Sequence, residues 1–127
     1  MEKFILVAVG GAAGAMARYA LGVQALRLWG PAWPFGTFIA NLSGGLLMGV
    51  LAGYLAHRGG ADQERLRVLL GVGVLGGFTT FSAFSLETAL MIERRTYGQA
   101  FTYAVASVLL SVSALFVGLM LARKVFA

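Results

Sequence analysis

The chain has 127 residues, 59% hydrophobic and only 12% charged, where a soluble domain carries about a quarter charged residues; with a mean hydropathy of +0.83, a lipid bilayer is the expected solvent. There is no cysteine, and His57 is the single histidine, which excludes disulfides, thiol nucleophiles and zinc-type clusters. A net charge of +5 and a pI near 10.3 would suggest nucleic acid in a soluble protein, but most basic residues fall at predicted membrane borders and read as flanking charge, not a nucleic-acid surface.

A transmembrane helix needs roughly 20 mostly apolar residues, so four would use about 80 positions and leave only short loops. The apolar stretches are long and rich in Gly and Ala, which excludes the alternating pattern of a membrane barrel. The expectation is an all-α integral membrane protein forming one four-helix domain over residues 1–127.

The first span covers about 4–28 and is interrupted by Arg18. Ala15-Met16-Ala17 has the form of a signal-peptide cleavage site, but the apolar pattern resumes directly after Arg18, as in a segment retained in the membrane. Trp29-Gly30-Pro31-Ala32-Trp33-Pro34 follows, a turn suited to the lipid headgroups. The second span covers about 35–56, and Ala61 to Arg67 reads as a water-exposed loop or helix start with Asp62, Glu64, Arg65 and Arg67. The third and fourth spans cover about 68–92 and 97–121, separated by Glu93-Arg94-Arg95-Thr96.

Four spans put both termini on one side. Lys3, Arg58, Arg65, Arg67, Arg123 and Lys124 then oppose Arg27, Arg94 and Arg95, a modest six-to-three bias toward cytoplasmic termini that leaves either orientation, or both, open.

Polar side chains in the hydrocarbon region each need a reason. Arg18 lies roughly 10 residues from either end of its span and must meet an acceptor, a water vestibule or an anion, unless the first helix ends near Tyr19. Asn41, Gly45, Gly49 and Gly53 recur at every fourth position, a stripe on which backbones approach closely. Asn41 thus either bonds across helices or donates to an ion. Tyr103, Ser107 and Ser111 follow four-residue steps and form a hydroxyl track, unless the serines bond to their own backbone.

The third span is the most informative. Gly76-Gly77-Phe78-Thr79-Thr80-Phe81-Ser82 is poor uninterrupted helix. A break from Gly76 to Ser82 predicts exposed carbonyls and an ion site. Phe81 and Phe84 share one side of the helix that follows, where aromatic edges could face a small anion. Glu87 lies one further three-residue step along, placed to influence that path or to pair with a basic residue.

Three segments carry a family resemblance: Gly10-Gly11-Ala12-Ala13-Gly14-Ala15-Met16-Ala17-Arg18-Tyr19, then Gly36-Thr37-Phe38-Ile39-Ala40-Asn41, then Gly76 through Phe84. In this order, on a chain of this size, they resemble the Fluc (CrcB) family of fluoride channels. The resemblance implies a multi-pass protein of the cell's inner (plasma) membrane, working as an inverted, dual-topology homodimer with two fluoride pathways at its interface. It implies that Asn41, Phe81, Phe84, Ser82, Tyr103, Ser107 and Ser111 line a pathway, with Arg18 in an anion vestibule and Glu87 as a modulating acid. It also implies one central, structural sodium ion held by the backbone carbonyls of Gly76 and Thr79 from both subunits. Ala83 stands where the family often has Thr, which removes one hydroxyl beside the phenylalanines. Two rival readings are weaker. A proton-coupled multidrug exporter wants a carboxylate deep in the first helix, where this chain has Arg18. An anchoring subunit would explain the glycine stripes but not the clustered break. No nucleophile and base pair suggests an enzyme.

Overall fold

The computed structural model describes residues 1–58, 60 and 63–126. Gly59, Ala61 and Asp62 of the predicted loop lie outside the described residues. The order is α1 (Glu2–Trp29), α2 (Phe35–Arg58), α3 (Gln63–Leu66), a π-helical stretch π1 (Arg67–Leu75), α4 (Gly76–Phe78), α5 (Phe81–Glu93) and α6 (Tyr97–Phe126). Taken as Glu2–Trp29, Phe35–Arg58, Gln63–Glu93 and Tyr97–Phe126, these make four helices long and apolar enough to cross a membrane. The stretches 4–28, 35–56, 68–92 and 97–121 each fall within one of them, and the helices extend beyond those bounds.

α1 is continuous, so a first helix ending near Tyr19 is overturned. It stops at Gly30, whose φ of 76° admits a residue without a side chain and whose N–H donates to the Leu26 carbonyl at 2.9 Å. Pro31 and Pro34 keep the connection non-helical, and Gln99 ties it to α6 by donating to the Ala32 carbonyl at 3.1 Å.

The glycine stripe of α2 faces α6. A Cβ on Gly45 would lie 2.8 Å from the Ser111 carbonyl oxygen, and one on Gly49 would collide with the Leu115 carbonyl. A second close contact joins α1 to π1 and α4, where a Cβ on Gly77 would lie 2.6 Å from the Gly11 oxygen. In π1 the hydrogen bonding loosens: the Gly76 N–H reaches back five residues to the Gly71 carbonyl. The sequence reading does not anticipate this stretch.

Large apolar side chains remain outward, among them Phe4, Met16, Phe101, Phe116 and Met120. A surface so apolar needs an apolar surrounding. Arg18, Asn41, Thr79 and Thr80 are instead partly buried, and they meet around the broken third helix. At the terminal end, Arg65 pairs with Glu2 at 2.8 Å, closing α1 onto α3, an exposed link worth about 0–1 kcal/mol.

Candidate functional site

Only two residues interrupt the third helix. Thr79 (φ −86°, ψ 158°) and Thr80 (φ −153°, ψ 124°) are extended between α4 and α5. The predicted break from Gly76 to Ser82 is therefore corrected: Gly76 and Gly77 stay helical, and Ser82 belongs to α5. Hydroxyl chemistry explains the position. Thr80 Oγ1 accepts from the Ala83 N–H at 3.1 Å and caps α5, while Thr79 Oγ1 donates to the Leu75 carbonyl at 3.0 Å.

Asn41 holds the break from the side. Its Nδ2 donates to the Thr80 carbonyl at 3.0 Å, and the Thr80 N–H donates to its Oδ1 at 2.8 Å. Arg18 holds it from α1, its Nε donating to the Gly77 carbonyl at 3.3 Å. A cation is favourable there, because the carbonyls ending a helix carry partial negative charge.

These bonds also decide which carbonyls are free. In a continuous helix the Gly76 carbonyl would accept from Thr80 and the Thr79 carbonyl from Ala83. Here the Thr80 N–H serves Asn41, and the Ala83 N–H serves the Thr80 hydroxyl. Both carbonyls are left without their helical donors. The described residues contain no cluster of three or more His, Cys, Asp or Glu side chains, so a cation here would rely on such backbone oxygens, which suit a hard ion.

Beside the break lies a cavity of about 310 Å³ lined by Asn41, Thr79, Thr80, Phe81, Phe84, Ser107, Val108, Ser111 and Val112. It gathers most of the residues singled out in the sequence. Among the described residues the hydroxyls of Ser107 and Ser111 are buried without a hydrogen-bond partner, so neither uses the backbone bond weighed for them. The Phe81 and Phe84 ring centroids are 5.6 Å apart at 47°. Phe84 is half-buried, whereas Phe81 is 76% exposed and projects from the chain.

Other predicted residues lie elsewhere. Ser82 is exposed and absent from the cavity wall. Arg18 and Gly76 adjoin the break but do not line that wall. Tyr103 is fully buried; its ring lies 5.2 Å from Phe84, and its hydroxyl donates to Glu87 Oε1 at 3.0 Å. Glu87 takes a second bond at 2.9 Å from the Thr37 hydroxyl. The basic partner suggested for Glu87 is thus replaced by two hydroxyls.

Glu87 also borders a second cavity of about 290 Å³ at the loop end, together with Trp33, Thr37, Arg94 and Gln99. Sequence reading gave no site role to Thr37 or Thr80, and gave Trp33 only a place in a turn at the lipid headgroups. Thr37 had a usable signal, since it precedes Asn41 by four residues and extends the same stripe. Thr80 and Trp33 had none, because their partners are remote in the chain.

A family model described as CrcB-like protein, Camphor Resistance (CrcB), matches residues 5–119. The chain belongs to this CrcB family. The resemblance read from its three segments is borne out. Among its relatives, the fluoride-specific ion channel FluC of Phenylobacterium zucineum (strain HLK1) is 72% identical, with both chains covered in full. The fluoride-specific ion channel FluC of Caulobacter sp. (strain K31) is 71% identical over all of this chain and 99% of that one. The protein of that name from Hyphomonas neptunium is 51% identical over the full length of both. These CrcB-family relatives are named as ion channels, not as enzymes.

Proposed function

We propose that the chain is a fluoride-selective channel of the cell's inner membrane that lets toxic fluoride leave passively, built as an inverted homodimer with a pathway on each side of its interface. The observation that carries this reading is the cavity beside the break, where Ser107 and Ser111, their hydroxyls buried without a partner among the described residues, line the same wall as Phe81 and Phe84. Fluoride, the smallest halide, holds its water tightly and leaves it only where other donors take over. Ser107, Ser111 and the remaining N–H of Asn41 supply neutral donors. Phenylalanine edges add weak positive potential without a fixed charge. Such sites are weak enough for the ion to leave, as conduction requires. Relatives named as fluoride-specific channels support the choice of ion.

A second copy is part of the proposal because Phe81, 76% exposed in one chain, needs an opposing wall to form a narrow path. In that dimer the Gly76 and Thr79 carbonyls of both copies would hold a central sodium ion, which supplies a fixed positive charge where the two breaks meet. Arg18, bonded to Gly77, orients the neighbouring carbonyl and contributes positive potential near the anion path. Ser82, exposed on the same turn as Phe81, would face the partner copy. Tyr103 and Glu87 stand behind Phe84 and set its position.

The test is efflux from liposomes holding the purified protein, read with fluoride and chloride electrodes in parallel. Fluoride must leave while chloride stays. Equal rates for both ions, or no flux of either, would end the proposal.

A further inference from the structure

Trp33 sits in the connection between α1 and α2, where the sequence suggests a headgroup anchor. The fold turns it inward instead. Its ring meets Tyr103 edge-on, with centroids 5.1 Å apart and an interplanar angle of 82°, and meets Phe38 at 4.9 Å and 67°. Tyr103 in turn lies 5.2 Å from Phe84, and Phe84 lies 5.6 Å from Phe81. An unbroken aromatic series thus runs from the loop end of the bundle to the ring that projects beside the break.

The same series stands between two cavities. Phe84 belongs to the wall of the one beside the break, whereas Trp33 and Glu87 belong to the wall of the one at the loop end. Tyr103 lies between them, fully buried. Its ring contacts both Trp33 and Phe84, and its hydroxyl holds Glu87. Trp33 is held in place, since its own carbonyl accepts from the Phe35 N–H at 2.8 Å and the adjoining Ala32 carbonyl accepts from Gln99. Edge-to-face rings resist rotation, because turning one ring loses contact between its positive edge and the neighbouring negative face.

We propose that Trp33 is a positioning residue for conduction: it fixes the Tyr103 ring and, through it, both the Phe84 ring and the Glu87 carboxylate, which together separate the two cavities. It touches no ion itself. This rests on the fluoride-channel reading.

The test uses the full-length protein in liposomes with parallel fluoride and chloride electrodes. Wild-type flux is the control for the parent reading; a wild type passing no fluoride defeats that reading before Trp33 is considered. Trp33→Ala and Trp33→Leu are expected to slow fluoride efflux about tenfold, a loss the size of one edge-to-face contact. Trp33→Phe keeps an aromatic ring and is expected to remain near the wild-type rate. In a Tyr103→Ala background, Trp33→Ala should change the rate little further, as expected when one residue acts through the other. Rescue by Leu equal to that by Phe, or losses at Trp33 and Tyr103 that multiply, would overturn the proposal. A direct readout covers any variant that fails to assemble. With Trp29→Phe, Trp33 becomes the sole tryptophan, and its emission must shift when Tyr103 is changed to Leu; an unmoved spectrum removes the contact on which the proposal stands.

Discussion

The Asn41 side chain replaces a turn of helix for Thr80: its Nδ2 donates to the Thr80 carbonyl at 3.0 Å while its Oδ1 accepts the Thr80 N–H at 2.8 Å. One amide on α2 therefore satisfies both backbone groups of a residue that has left the helix. Asn41→Ala should lower stability by about 1–3 kcal/mol, the range for buried groups left unpaired, as read by denaturant unfolding in detergent. Asn41→Asp keeps the acceptor but loses the donor and adds negative charge beside the proposed anion path. It should slow fluoride efflux more than its stability loss suggests, and equal flux to wild type would move the path elsewhere.

Ser107 and Ser111 should behave in the opposite way. Their hydroxyls are buried without partners, so Ser107→Ala and Ser111→Ala leave stability within about 1 kcal/mol of wild type or raise it. Fluoride efflux should nevertheless fall, because the donors proposed to replace water are gone. A stability loss with unchanged flux would make these serines structural.

Phe81 contributes little to the packing of its own chain, being 76% exposed. Phe81→Ile should leave a dimer on size-exclusion chromatography yet slow fluoride efflux by about tenfold, the size of a lost aromatic-edge interaction. Unchanged flux through an intact dimer would remove Phe81 from the pathway.

Gly49 tests the helix contact that aims these groups. A Cβ there meets the Leu115 carbonyl of α6, so Gly49→Ala should destabilise by about 1–3 kcal/mol through overpacking. Gly98→Ala is the control. A Cβ at Gly98 meets nothing within 4 Å, and the change should be neutral or stabilise by up to about 1 kcal/mol. Both are read by thermal unfolding in detergent.

Arg95 has a φ of 61°, a conformation costing a side-chain-bearing residue about 1–2 kcal/mol. Arg95→Gly relieves that strain but adds about 0.5–1 kcal/mol of chain entropy to lose on folding. The net expectation is a gain of up to about 1 kcal/mol in unfolding experiments, with flux unchanged.

Much of the fold was legible because hydropathy acts along the chain. The length of each span, the Gly30 and Pro31 stop, and the stripe from Asn41 through Gly53 follow from local composition and helical period. The break was legible in kind but not in extent. Glycine lowers helix propensity, yet Gly76 and Gly77 stay helical because α4 packs closely against α1. The chain leaves the helix at Thr79 and Thr80 instead, where the Thr80 hydroxyl and the Asn41 amide replace helical bonds.

The sequence by itself determined four apolar helices, a weak third helix and a set of polar residues that hydrocarbon could not accommodate unpaired. Only the tertiary structure decided which groups those residues meet. It bound Arg18 to Gly77, closed Asn41 on Thr80, joined Glu87 to Thr37 and Tyr103, and turned Trp33 inward. The reason is one of range. Helical period and propensity act over a few residues, whereas these pairings join residues 16 to 70 positions apart in the chain. The close glycine contacts set how near the helices lie, and so which of these groups can reach one another.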